Sequence, residues 1–289
     1  MKIVTCFLTG LLLLAMSGQA RAGILFDASY NADVVFSDAL LSTTMTLTYD
    51  GTNYWSTRGG SSAGTTLARY DSSGSLLNSY ATGNDFRSVF TNNAGDVFAR
   101  TYNSNVILMQ TSPGVFVNSG ITLSTGLNDQ SSVVLNGDQT EFLAHNNGTV
   151  QRWDLSGNFI ASTSLSGWGS VAGEANYPQD RGIAAFGDYW LTYSNGTLSA
   201  WDTAGNRVDQ TLLNGAGTTF NAHFSLSYAN GRVFIVDDAG GSWRGYDIGD
   251  GRLAAVPEPA TLAMFGLGAA LIGVGSVMQH RRQQQRRAN

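Results

Sequence analysis

The 289-residue chain carries 16 Lys plus Arg against 21 Asp plus Glu, with 35 glycines, 4 prolines and one cysteine. From Gly23 to Val256 there is no lysine, and ten Arg face twenty Asp plus Glu, a net charge of about −10 on that region. Such a surface argues against nucleic acid and anionic membrane as partners, and leaves neutral glycans or cation-bridged acidic polymers.

The N-terminus reads as a secretory signal peptide over residues 1–22. Lys2 supplies the positive start, Ile3 to Met16 the apolar run, and Ala20-Arg21-Ala22 a small-x-small site cut before Gly23. Cys6 lies inside this segment, so the mature chain has no thiol, no disulfide and no cysteine metal site.

Residues 23–255 form one repeat domain. The phrase Leu67-Ala68-Arg69-Tyr70-Asp71-Ser72-Ser73-Gly74 returns as Val150 to Gly157, as Leu198 to Gly205 and, with an altered turn, at Trp243 to Asp247. Val106 to Gly114 is a degenerate copy, and the anchors Asp71, Gln110, Asp154, Asp202 and Asp247 are 39, 44, 48 and 45 residues apart. Each repeat parses into four short strands joined by Asn-Gly-type and Asp-Gly-type turns, which supply the positive φ that tight hairpins require. In the fourth repeat these are Ile183 to Phe186, Tyr189 to Tyr193, Thr197 to Asp202 and Arg207 to Leu213; in the fifth, the first strand is expected over Phe224 to Tyr228. Four-stranded meanders at this period predict an all-β fold, a β-propeller, because each small sheet is marginal alone and buries its faces against its neighbours. Five blades are expected, with six as the alternative; Ile24 to Leu40 would complete the last blade or contribute to a sixth. At the level of blade grammar the repeats resemble NHL-like and quinoprotein-like propellers, which specifies fold and not activity.

Few residues stand outside the repeat. His145 and His223 are the histidines of this region and hold different places in their repeats, which favours a solvated or core-satisfied role for each over a shared metal site. Asp71, Asp154, Asp202 and Asp247 recur with the period, so each is expected to cap the turn that follows it rather than to catalyse. Tyr70, Trp153, Trp201 and Tyr246 share one position and suit packing between blades. Trp168 breaks the pattern: it sits in the long loop Ser166 to Asp180 between Gly167 and Gly169 and is the candidate ligand contact. Asp237 and Asp238 offer a weak calcium site, lacking the spacing of an EF-hand loop. Otherwise no cofactor and no catalytic residue is indicated.

The C-terminus, residues 256–289, opens with Val256-Pro257-Glu258-Pro259. Nineteen mostly apolar, uncharged residues, 260–278, follow, and Arg281, Arg282, Arg286 and Arg287 close the tail 279–289. At about 1.5 Å per residue the run gives a helix of roughly 28 Å, bilayer length, and the arginines place the tail in the cytoplasm. Together the motif, the glycine-containing helix and the basic stop resemble the PEP-CTERM sorting signal of Gram-negative bacteria, a segment also labelled an ice-binding protein C-terminal domain. The resemblance implies export, recognition of Pro257-Glu258-Pro259 by a membrane enzyme called exosortase, cleavage near the motif, and association with exopolysaccharide or biofilm matrix. The precursor would sit in the inner membrane and the mature form at the cell surface or outside it. Two functions follow as expectations: a non-enzymatic binding or structural module of the envelope or matrix, or a secreted polysaccharide lyase or hydrolase with its site at the axial mouth.

Overall fold

The computed structural model describes residues 25–249 except Ser42 and Gly240. The signal-cleavage residues Ala20, Ala22 and Gly23, the motif at 256–259, the apolar run 260–278 and the arginines 281, 282, 286 and 287 lie outside the described residues. Among the described residues no helix is long and apolar enough to cross a membrane.

The chain opens with β1 (Ser29–Asn31) and β2 (Val34–Ser37), then lays down four-stranded meanders around a common axis. Blade one holds β3 (Thr44–Tyr49), β4 (Tyr54–Arg58), β5 (Leu67–Tyr70) and β6 (Leu76–Tyr80). Blade two holds β7 (Phe86–Thr91), β8 (Val97–Thr101), β9 (Val106–Ser112) and β10 (Val115–Thr122). Blade three holds β11 (Val133–Leu135), β12 (Glu141–Asn146), β13 (Thr149–Asp154) and β14 (Phe159–Ser164). Blade four holds β15 (Ala184–Phe186), β16 (Tyr189–Ser194), β17 (Thr197–Trp201) and β18 (Arg207–Asn214). After a one-turn helix α1 (Phe220–Phe224), blade five takes β19 (Ser227–Ala229), β20 (Arg232–Val236) and β21 (Ser242–Tyr246).

The protein is therefore a five-bladed β-propeller, and the fifth blade is completed from the other end of the chain. β2 pairs antiparallel with β21, setting Val34 opposite Gly245 and Phe36 opposite Trp243. Phe36 then reaches Tyr54, Tyr70 and Phe234 at ring-centroid distances of 5.6, 5.1 and 6.0 Å, filling the seam between blades five and one. Asp33 and Arg232 clasp the same pairing at 2.6 Å. β1 instead adds parallel to β18 as a fifth strand of blade four. No sixth blade forms, because these two strands are spent on existing sheets. The first strand of the fifth repeat is also shorter than the sequence suggests: α1 takes up Phe224, and pairing begins at Ser227.

Tyr70, Trp153, Trp201 and Tyr246 are fully buried, as a shared position between neighbouring blades requires. The turn after each does two jobs. Asp71, Asp154 and Asp202 each accept main-chain N–H groups two and four residues on, and Asp247 accepts from Gly249. Gly157 and Gly205 sit at φ +86° and +85°, where a Cβ would lie 2.3 Å from Thr122 O and from Ser164 O of the blade before. Only glycine meets both demands, which is why the phrase repeats so faithfully.

Hydroxyls join the innermost strands around the axis. Ser227 Oγ accepts from Leu47 N at 2.8 Å, Thr46 Oγ1 from Val89 N at 2.6 Å, Ser88 Oγ from Val133 N at 3.0 Å and Ser132 Oγ from Ile183 N at 3.2 Å. Four of the five blade junctions are bridged in this way. Gly182, which holds the corresponding position in blade four, has no side chain to bridge the remaining one.

Candidate functional site

The axis has two faces, one formed by the turns between first and second strands and the other by the loops that link successive blades. The turn face opens on a cavity of about 240 Å³ walled by β3, β7, β11, β15 and β19. Its polar lining consists of hydroxyls and amides such as Thr48, Thr91, Asn136, Gln139 and Asn230, with Tyr49 and Tyr228 beside them and no charged side chain. These groups are held in place: Thr48 and Thr91 share a 2.9 Å bond, Asn136 accepts from Thr140 N and Glu141 N, and Asn230 donates to the Tyr54 hydroxyl at 2.8 Å. Gln139, at φ +57°, accepts from Asn93 N and so ties the turn of blade three to that of blade two. It also borders a second cavity of about 370 Å³ between those blades.

The loop face is different in kind. Arg87, nearly buried at the start of β7, donates to Asp85 at 2.6 Å and to Gln130 at 2.7 Å, and its guanidinium lies 4.6 Å from the Tyr102 ring. Arg181 pairs with Asp180 at 2.8 Å. Burial pushes the Asp180 carboxyl above the usual carboxylate range, with Arg181 opposing the shift. Burial raises the Tyr177 hydroxyl as well, while Arg87 and Arg181 draw it back. Tyr102, Tyr177 and Phe220 stand exposed around these ion pairs, Tyr177 edge-on to Phe220 at 5.7 Å.

Behind this face one device recurs with three different side chains, each near the end of a second strand and each bonded to the loop leading to the next blade. Arg100 in blade two is fully buried and donates to the carbonyls of Ser104, Asn128, Asp129 and Ser131; burial lowers it to about 10. His145 in blade three lies 3.2 Å from Gly182 O through Nδ1 and accepts from Gly148 N through Nε2, which assigns the proton to Nδ1. Tyr193 in blade four donates to Gly217 O and accepts from Gly196 N. Sequence reasoning separated the histidines but could not see this equivalence, because arginine, histidine and tyrosine share no pattern. Burial depresses His145 to about 3 and His223 to about 4, so both are neutral at ordinary pH. His223 bonds to Asn195 through Nε2 and does not meet His145.

Trp168 stands edge-on to His145 at 4.6 Å and lies 6.0 Å from Trp201, packing the long loop onto blades three and four. The same loop is fastened by Glu174, which is buried, accepts from Gly169 N and Val171 N, and binds Arg207 at 2.7 Å. Arg207 in turn stacks 4.3 Å from the Trp201 ring. Asp237 accepts from Gly241 N and Asp238 from Thr218, so the two carboxylates are engaged with different partners. Among the described residues, no three His, Cys, Asp or Glu side chains gather as a metal-binding group.

In fold the chain is similar to the crystal structure of Myxococcus xanthus glutaminyl cyclase, with a TM-score of 0.52 at 9% identity over 76% of this chain and 97% of that one. A streptogramin B lyase follows with a TM-score of 0.41 at 12% identity, over 70% of this chain and 79% of that one. A catalytically inactive virginiamycin B lyase from Staphylococcus aureus with quinupristin gives 0.37 at 16% identity, over 71% and 70%. At 9% identity the likeness to the glutaminyl cyclase shows the fold alone. No curated protein sequence matches the chain. Residues 255–282 match the PEP-CTERM protein-sorting motif, and the chain joins that motif to a five-bladed β-propeller body.

Proposed function

We propose that this is an exported envelope or matrix protein, matured by an exosortase-like enzyme at Val256 to Pro259, whose propeller is a non-enzymatic module that holds neutral exopolysaccharide. The sorting motif implies export and the exosortase as processing partner. The reading of the propeller rests on the turn-face cavity: hydroxyls, amides and tyrosines suit sugar hydroxyls and sugar rings, and its lining has no carboxylate, histidine, lysine or arginine. The test is a glycan array with the purified mature chain, followed by a search for turnover. Binding without cleavage, weakened by Thr91→Val, is the expected result; cleavage of the bound glycan overturns it. For the sorting step, mass spectrometry of the exported protein should find the C-terminus near the motif, and an intact Asn289 after Pro257→Ala with Glu258→Ala.

A second reading has its own support. The loop face groups Asp180, raised by burial, with Tyr177, Arg87 and Arg181, the residue types a polysaccharide lyase or hydrolase at the axial mouth would use. Turnover lost in Asp180→Asn, with the fold retained, would favour this enzyme over the binding module.

A further inference from the structure

The outer edges of the blades carry an inference independent of what the axis binds. The last strand of each sheet is β6, β10, β14, β18 or β2, except that β1 lies outside β18. Exposed edges present unpaired N–H and C=O groups, and proteins commonly guard them with charged side chains or proline. Here β6 (Leu-Leu-Asn-Ser-Tyr), β10 (Val-Phe-Val-Asn-Ser-Gly-Ile-Thr), β14 (Phe-Ile-Ala-Ser-Thr-Ser) and β2 (Val-Val-Phe-Ser) contain neither. The one fourth strand with charges, β18 with Arg207 and Asp209, is covered by β1. Inner strands, by contrast, hold Arg58, Arg69, Arg100, Glu141, Arg152 and Arg232. Charge has been kept off the open edges in an otherwise acidic protein.

Among these edges β14 has the strongest pairing chemistry. Phe159 and Ile160 are 40% and 45% exposed, and Leu155 in the turn just before is 48% exposed. The rest of the strand is Ala, Ser and Thr, with no breaker. Its ends are already engaged: Phe159 N donates to Ser124 Oγ, and the Gly205 turn lies against Ser164 O. That leaves Ile160 to Thr163 as the open stretch. β14 has its own register shift at Ile160, next to its engaged start, and runs regular from Ala161 to Thr163, whereas the bulge of the longer β10 falls inside the strand between Asn118 and Thr122.

We propose that β14 is the edge through which two copies of the mature chain associate, pairing antiparallel about a two-fold axis that sets Ser162 opposite its own copy. A second copy is the partner that fits. An isologous contact sets the same uncharged strand against itself, so no like charges meet at the contact, whereas the acid excess elsewhere opposes approach by other surfaces. The addition of β1 to β18 within the chain demonstrates that an outer blade edge of this protein accepts a further strand.

Sedimentation equilibrium of the exported, mature protein tests this across a concentration series at low and high salt. A dimer is expected, strengthened by salt because screening relieves the repulsion between acidic copies. Ile160→Lys with Ser162→Lys should weaken it at least tenfold while the thermal midpoint, read at a concentration where the wild type is monomeric, stays unchanged, and Leu77→Lys on β6 should leave it intact. A wild-type monomer at every concentration and salt overturns the proposal. So does a dimer that survives the β14 substitutions, or one that Leu77→Lys disrupts and they do not. Should the double variant fold poorly, Ser162→Glu alone carries the same reading.

Discussion

The hydroxyl of Thr46 holds both main-chain groups of Val89, accepting from its N–H at 2.6 Å and donating to its carbonyl at 3.1 Å. This is a bond between blades made by one side chain where a sheet would use a ladder. Thr46→Val keeps the shape, removes the oxygen and leaves a buried N–H unpaired, a loss of about 1–3 kcal/mol. Urea unfolding should register that loss, and Thr46→Ser should recover most of it.

Arg100 is the most committed of the buried charges, because four loop carbonyls depend on it and no carboxylate binds it. Arg100→Met leaves those carbonyls without their donor and should cost on the order of 3 kcal/mol or more. Hydrogen exchange should show residues 123–132 opening first. A variant as stable as the parent would show that water serves the loop equally well.

The two neutral histidines set a pH dependence. Their folded values, about 3 for His145 and about 4 for His223, lie below the roughly 6.5 of an unfolded chain, so below that pH the unfolded chain binds protons that the folded one does not. Stability should be whole above about pH 6.5 and fall as the pH drops toward 4. His145→Gln, which has an amide donor and acceptor and does not titrate, should flatten the slope measured by unfolding at stepped pH.

Gly157→Ala and Gly167→Ala separate two costs. Both glycines have positive φ, +86° and +78°, but a Cβ at Gly157 meets Thr122 O at 2.3 Å and one at Gly167 meets nothing within 4 Å. Gly167→Ala should cost about 1 kcal/mol of backbone strain. Gly157→Ala should cost clearly more, and equal midpoints for the two would refute the close-approach argument.

Glu174→Ala removes the anchor of the Trp168 loop. Gly169 N and Val171 N lose their acceptor and Arg207 its carboxylate. Limited proteolysis should then cut within residues 166–180 while the rest of the propeller resists.

What the sequence could reveal was whatever repeats locally. Asp71, Asp154 and Asp202 advertise their role because a turn cap and its glycine lie within four residues of one another. The hydroxyls of Thr46, Ser88, Ser132 and Ser227 do equivalent work across blades, yet serine and threonine are so abundant here that nothing marks them. The sharing of one job among Arg100, His145 and Tyr193 is invisible for the opposite reason, since unlike residues form no pattern. Helix α1 was missed because it is one turn long and Thr219 makes no side-chain cap. The axial cavity has no signature of its own, being lined by strand residues from every repeat.

The clasp between β2 and β21 has a consequence for the order of events during export. Blades one to three, and the four meander strands of blade four, can each assemble from consecutive chain, but the last sheet needs Val34 to Ser37 beside Ser242 to Tyr246, about two hundred positions apart. Were the chain threaded out N-terminus first, as a signal peptide would direct, it would carry its closing strand first and keep it unmated until nearly all else had crossed. The ring locks only as the sorting motif, ten residues past Tyr246, comes within reach of the machinery that reads it.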